Sequence, residues 1–174
     1  LDKEQILASQ LPANERPINQ NWSWDRILRS CFIKQADVLQ GIYFFEEDFS
    51  IDTIRKNFEF YEARTVHESS LSPCIHVVLA TQLGLPETAY DLYLRTSRLD
   101  LDDYNNEVHE GCHITSMAGT WMAVVEGFGG MRVKNDHLHF DPLLPKAWKS
   151  LKFKVHFRGH LISVDISENG LKVS

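Results

Sequence analysis

The chain has 174 residues, 43% of them hydrophobic and 24% charged, a length and balance that fit one globular unit or the end of a larger one. Its formal net charge of −6 argues against general binding to nucleic acid or to an anionic membrane, so an anionic ligand would need a local cluster of donors. No apolar run approaches the ~18 residues of a membrane span, and LDKEQILASQLPANERP lacks the apolar segment of a signal peptide.

The missing initiator methionine leads to the expectation that the chain begins inside a longer protein or after processing. Cys31, Cys74 and Cys112 show neither CxxC nor a zinc-type spacing. Their apolar neighbours predict buried free thiols in a reducing, cytoplasmic compartment. A nucleophilic Cys112 beside His113 ranks below that, because adjacent residues on a helix point in different directions.

Taken in order, residues 1–20 are polar, broken by Pro12 and Pro17, and read as a short helix end and connector. Trp22 and Trp24 precede a long apolar-periodic run. Within it Gln35 to Phe45 carries apolar residues at 36, 38, 39, 42, 43 and 45, dense enough for a helix buried on most sides. Ser50 caps a helix from about Ile51, with Ile51, Ile54, Phe58 and Tyr61 at helical spacing. Ser72-Pro73 reads as N-cap and first helical residue of a helix running to Leu83, with Gly84 at its C′ position. Pro86 restarts the chain, and Thr88 to Arg98 forms the next helix, ending in basic residues. LDLDDYNNEVHEG reads as an acidic loop. Ile114, Met117, Ala118, Trp121, Val124, Val125 and Phe128 then form an apolar stripe closed by Gly127, Gly129 and Gly130.

At Met131 the period changes. Leu151, Phe153, Val155 and Phe157 alternate with Lys152, Lys154, His156 and Arg158, a half-solvated strand. Arg158-Gly159 turns it, His160 to Ile166 returns, and Glu168-Asn169-Gly170 makes another turn. The expected organisation is helical over 1–130 and antiparallel β over 131–174. A chain that stops mid-strand is expected to be a fragment of a longer sheet.

The densest chemistry lies in YEARTVHESSLSPCIH, Tyr61 to His76, which gathers Glu62, Glu68, Arg64, His67, His76 and three serines. Hydroxyls at a helix N-terminus, where free N–H groups and the dipole favour an anion, suit an oxyanion or a cluster of sugar hydroxyls. An ordinary capped loop is the competing reading. His113, Ser116 and Thr120 share a face opposite Met117 and Trp121, which suits either a polar cavity or a solvated surface. Lys34 and Gln35 open a largely apolar helix, so the lysine needs solvent or an anion. Glu62 and Glu68 are candidate general acids or acceptors for sugar hydroxyls. No GxSxG, Walker or dinucleotide motif is present.

The strings KQADVLQGIYFF, FEFYEARTVHESSLSPCIHVVLA, AYDLYLRTSRLDLDDYNNEVHEGCHITSMAGTWMAVVEGFGGMRV and LHFDPLLPKAW resemble the C-terminal part of glycoside hydrolase family 65. This family of inverting α-glucoside phosphorylases acts on maltose, kojibiose, nigerose or trehalose. The resemblance covers residues 25–174, and YEARTVHESSLSP is most similar to the maltose-cleaving branch. It implies the last helices of an (α/α)₆ barrel, incomplete over 1–130, followed by the start of a β-sandwich over 131–174. It also implies reversible phosphorolysis, in which inorganic phosphate, a co-substrate with no further cofactor, attacks the anomeric carbon and yields β-glucose 1-phosphate. By the same resemblance Lys34, Gln35 and Glu62 contact the glucose, while Ser69, Ser70 and His113 hold phosphate. The family's general-acid glutamate lies upstream of this segment, and Glu62, Glu68, Glu107 and Glu110 are not promoted to fill that role. The segment alone is therefore expected to be inactive, and the disaccharide, phosphate, the rest of the same enzyme and a second copy in a homodimer are its expected partners. A hydrolase of the same family and a non-catalytic sugar-binding module are the alternatives.

Overall fold

The computed structural model describes residues 4–104 and 106–174. Residues 1–3 of the expected connector and Asn105 of the expected acidic loop lie outside the described residues. Helices fill the first part of the chain and antiparallel strands the rest, as the change of period at Met131 predicts.

After short 3₁₀ turns, α1 (Ile18–Asn21) and α2 (Trp24–Leu28) form a small cluster in which Trp22 and Phe32 meet edge to face at 5.5 Å. The longer helices follow: α3 (Asp37–Phe44), α4 (Ile51–Glu62), α5 (Ser72–Gln82), α6 (Pro86–Ser97), the single turn α7 (Leu99–Asp102) and α8 (Ile114–Met122). α8 continues as a π-helical stretch, Ala123–Phe128.

α5 is the centre of this layer. Every residue from Ser72 to Thr81 is buried, because α3, α4, α6, α8 and the π-helical stretch all pack against it. Gly84, at φ +72°, ends it in the left-handed conformation that glycine adopts without penalty. Ser50 Oγ accepts from Thr53 N at 3.2 Å and starts α4 as expected.

Several expectations are corrected. Ser72 is the first residue of α5 rather than its cap, Leu71 standing before it, and its hydroxyl is turned to His67. α3 is buried on one side only: Leu39 and Ile42 face inward, while Phe44 and Phe45 are more than half exposed. The acidic loop contains the helical turn α7 and a 3₁₀ turn at Val108–Glu110. Cys74 is buried, but Cys112 is exposed and Cys31 half-buried, since Cys112 falls in the loop before α8.

The largest correction concerns α8. Ile114, Met117 and Trp121 of the expected core stripe are about half exposed or more, and Ser116 is buried. Close approach to α5 and α6 selects small residues instead. A Cβ at Gly119 would lie 2.9 Å from both Cβ and Sγ of Cys74, so a larger side chain cannot stand on that face. The expected polar cavity is not formed there either: Ser116 Oγ donates to Thr96 O at 2.7 Å and Thr120 Oγ1 donates to Ser116 O at 2.9 Å.

The β part comprises a hairpin, β1 (Met131–Lys134) with β2 (His137–Phe140), and a meander, β3 (Ser150–Phe157), β4 (His160–Ser167) and β5 (Gly170–Val173). Asn135 and Asp136, both at positive φ, make the first turn, one that hydropathy does not signal. Ser150 pairs with Ser167 and Phe157 with His160, the register that the Arg158-Gly159 turn requires. Among the described residues no helix is long and apolar enough to cross a membrane.

Candidate functional site

Gly119 of α8 lies against Cys74 of α5, and Gly127 lies against Val77 and Thr81. The two helices therefore run in the same direction, and their N-termini share one end of the layer. The chain before α3 reaches that end as well. Ile33 bridges Thr65 in parallel fashion, Val66 N donates to Ile33 O at 3.0 Å, and Glu68 N donates to Lys34 O at 3.2 Å. Ser69 Oγ then donates to Gln35 Oε1 at 3.0 Å. Lys34, Gln35 and Ser69, far apart in sequence, are thus brought together, with Ser70 next in the chain. Lys34 is exposed, and Gln35, Ser69 and Ser70 are half-buried.

His113 immediately precedes α8 at the same end. Its Nδ1 lies 2.5 Å from Asp100 Oδ1, and its backbone N donates to Asp100 Oδ2 at 3.0 Å. The Asp100 hydrogen bond raises the His113 pKa above its ordinary value, and the same bond lowers that of Asp100. Nε2 of His113 faces Glu107 Oε2 at 3.6 Å. A protonated His113 can therefore donate through Nε2 to an anion that displaces or outcompetes Glu107. Sequence alone did not reveal Asp100, which is reached through the turn of α7.

Glu62, the last residue of α4, is held by two imidazoles. His76 Nδ1 makes a very close hydrogen bond to Glu62 Oε2, and His67 Nε2 stands 3.5 Å from the same oxygen. Ser72 Oγ lies 2.8 Å from His67 Nδ1. His67 takes a left-handed backbone, φ +52°, which turns its ring back towards α4. Burial pushes the Glu62 pKa up, but the contacts from His67 and His76 outweigh it and hold the carboxyl well below the usual carboxylate range. Burial dominates at His67 and lowers its pKa, favouring the neutral ring. Among the described residues these three are also the one group with the composition of a metal site, their ligand atoms lying within 4.8 Å of one another.

Glu62 and His67 line a cavity of about 500 Å³ with Arg16, Thr65 and Arg95. An adjoining cavity of about 270 Å³ is lined by Lys34, Glu68 and Glu107 and shares Arg16, Val66 and Arg95 with the first. Glu68 accepts from Ile18 N at 2.9 Å through Oε2, and burial raises its pKa; it is a packing carboxylate at the wall, and its Oε1 is buried without a hydrogen-bond partner. Arg95 donates to His67 O at 2.9 Å. A separate cavity of about 460 Å³ between α3 and β1 includes Tyr43, Glu46, Glu126 and Arg132. There Tyr43 Oη donates to Glu126 Oε2 at 2.5 Å and Arg132 Nε to Glu46 Oε1 at 2.8 Å, so its polar groups join helix to sheet.

Residues 1–122 match the glycosyl hydrolase family 65 central catalytic domain, and residues 131–174 match the glycosyl hydrolase family 65 C-terminal domain. The chain is similar to the maltose phosphorylase of Bacillus subtilis (strain 168), with 56% identity over 97% of this chain and 22% of that protein. It is 44% identical to the alpha,alpha-trehalose phosphorylase of Thermoanaerobacter brockii over 98% of this chain and 22% of the relative. Identity to the kojibiose phosphorylase of Halothermothrix orenii is 38%, over 100% of this chain and 22% of that protein. A solved structure provisionally described as a kojibiose phosphorylase from human microbiome superimposes with a TM-score of 0.89 at 42% identity, covering 97% of this chain and 24% of that one. The chain thus spans about a fifth of the length of the curated relatives it matches.

Proposed function

Since the chain belongs to glycosyl hydrolase family 65, we propose that it is the part of an inverting disaccharide phosphorylase that presents phosphate and the glucosyl unit to a general acid supplied outside this segment. Maltose is the proposed substrate, with β-glucose 1-phosphate and glucose as products. The observation that carries this choice is the identity of 56% to a maltose phosphorylase, against 44% and 38% to trehalose and kojibiose phosphorylases, over nearly the whole chain in each case.

The proposed roles follow from donor chemistry. Lys34, Gln35 and Glu62 contact the hydroxyls of the glucosyl unit, where a carboxylate is a strong acceptor and an amide both donates and accepts. Ser69, Ser70 and His113 hold phosphate through hydroxyl and imidazole donors. The hydrogen bond between Ser69 and Gln35 supports a phosphate set adjoining a sugar set, the arrangement an in-line attack on the anomeric carbon needs. Phosphate is then the nucleophile, and no protein base is required on that face.

The test uses the intact enzyme that carries this segment, incubated with maltose, trehalose or kojibiose, with and without inorganic phosphate. Phosphate-dependent release of β-glucose 1-phosphate from maltose, at a kcat/KM at least about tenfold above the other two, is the expected result. Preference for trehalose or kojibiose would overturn the substrate, and turnover of maltose without phosphate would overturn phosphorolysis. The isolated 174-residue segment is expected to show no turnover.

A further inference from the structure

Resting on the reading that Glu62 contacts the glucosyl unit, we propose that His67 and His76 are positioning residues: their ring N–H groups hold one oxygen of the Glu62 carboxylate, leaving the other to accept a hydroxyl of the sugar. Both closest approaches converge on Oε2, while Glu62 itself opens onto the cavity with Arg16 and Arg95.

The proton positions follow from the contacts. For a neutral His67 to present an N–H to Glu62 at Nε2, its Nδ1 must be the acceptor, and the Ser72 hydroxyl 2.8 Å away is placed to donate to it. His76 donates from Nδ1, and its Nε2 is buried without a hydrogen-bond partner. The array therefore runs from Ser72 to His67 to Glu62, with His76 approaching from α5. His76 supplies the hydrogen bond, while His67 Nε2, buried with no hydrogen-bond partner and 3.5 Å from Oε2, acts only through its N–H dipole.

Among the other charged groups on this cavity, Arg95 acts on Glu62 through charge but has its hydrogen bond elsewhere. From α6, Arg95 donates to the His67 carbonyl at 2.9 Å. From the N-terminal segment, Arg16 donates to Ala8 O. Glu59 on α4 lines the same cavity, and Glu68 follows His67 in the chain; both carboxylates would oppose ionisation of Glu62. The half-buried Glu62 carboxylate is thus kept charged and oriented by the two rings. A direct hydrogen bond between His76 and Glu62 also leaves no room for an ion between those two atoms, which favours positioning over a metal site for the same three residues.

The experiment uses the intact enzyme. His67→Leu and His76→Leu each remove a donor and are expected to raise the KM for the disaccharide by about tenfold, with a smaller change in kcat. The acid limb of kcat/KM should move up by about one pH unit or more. His67→Gln and His76→Asn place an amide N–H where the ring N–H stood and should restore KM to within about threefold of the wild type. Glu62→Gln separates the two hypotheses. If it leaves KM unchanged, the sugar contact itself is wrong. If it raises KM while the leucine variants keep the wild-type KM and acid limb, the sugar contact stands and the positioning role is overturned. Should the leucine variants not fold, Ser72→Ala decides: freeing the His67 tautomer is expected to shift the acid limb in the same direction, and an unmoved profile overturns the proposal. Stoichiometric zinc in the purified enzyme, whose removal raises KM, would overturn it as well.

Discussion

Gly130 joins the helical part to the first strand, and replacing it with alanine should be strongly destabilising. Its φ is +60°, in the left-handed region, which costs an L side chain about 1–2 kcal/mol. A Cβ there would stand 2.7 Å from Asp141 N and closer still to the Asp141 carbonyl. The obstacle is backbone, so no rotamer change relieves it. Asp141 is also tied to this point by its N–H, which donates to Gly130 O at 3.2 Å, and separating the two segments breaks that bond. Overpacking of this kind adds about 1–3 kcal/mol, giving roughly 3–4 kcal/mol in all. For a domain of about 150–250 residues that lowers Tm by about 10 °C, and by less in a larger cooperative unit. The assay is thermal unfolding of the intact enzyme followed by circular dichroism and calorimetry. Gly41→Ala is the control: nothing lies within 4 Å of its Cβ, and it sits inside α3, where alanine should stabilise by up to about 1 kcal/mol. A Tm for Gly130→Ala within about 1 °C of wild type would refute the reasoning.

Arg132→Ala should cost about 3 kcal/mol in denaturant unfolding, because it strands the largely buried Glu46 carboxylate 2.8 Å away; a loss below about 1 kcal/mol would show that Lys134, at 4.0 Å, already compensates. Glu62 has a folded pKa below its unfolded value, so its stabilisation is present above about pH 4.3 and is lost as pH falls towards the folded pKa. A pH series of unfolding midpoints should therefore drop on the acid side, and Glu62→Gln should flatten that drop. His113 has the opposite sign: its folded pKa is raised, so its contribution is full below about pH 6.5 and fades as pH rises through the raised value. NMR titration of the His113 imidazole should show the upward shift, and Asp100→Asn should abolish it.

Local signals were sufficient wherever a single residue decides the geometry. Ser50 starts α4, Gly84 ends α5, and the alternation from Leu151 to Arg158 makes β3, because capping, left-handed φ and the two-residue period act over a few positions. The orientation of α8 could not be read in this way. Hydropathy identifies Ile114, Met117 and Trp121 as one face, but contact with α5 and α6 depends on how closely the backbones approach, and that selects Ser116, Gly119 and Ala123. The site was partly legible. A glutamate, serines and histidines within one stretch marked the candidate region, while the pairing of Glu62 with His67 and His76 needed the left-handed turn at His67 and the packing of α4 on α5. Asp100 was hidden for a similar reason, since thirteen residues separate it from His113.

The placement of these groups also bears on the proposed phosphate binding, which a chain of formal charge −6 must achieve locally. The N-termini of α5 and α8 share one end of the layer, and the hydrogen bond from Ser69 to Gln35 brings the start of α3 beside them. Each helix start carries a partial positive charge confined to the first turn, although Ile114 N and Ser116 N of α8 already donate to Cys112 O and His113 O. Within a Debye length of about 8 Å the proposed hydroxyl and imidazole donors would act on an anion directly, whereas more distant surface charge is screened. The acidic residues at the same end are largely engaged: Glu62 by two imidazoles, Asp100 by His113, and Glu68 by Ile18 N. Removing one of those partners should harm phosphate or sugar binding more than removing a surface lysine, because it releases a carboxylate into the space the ligand needs.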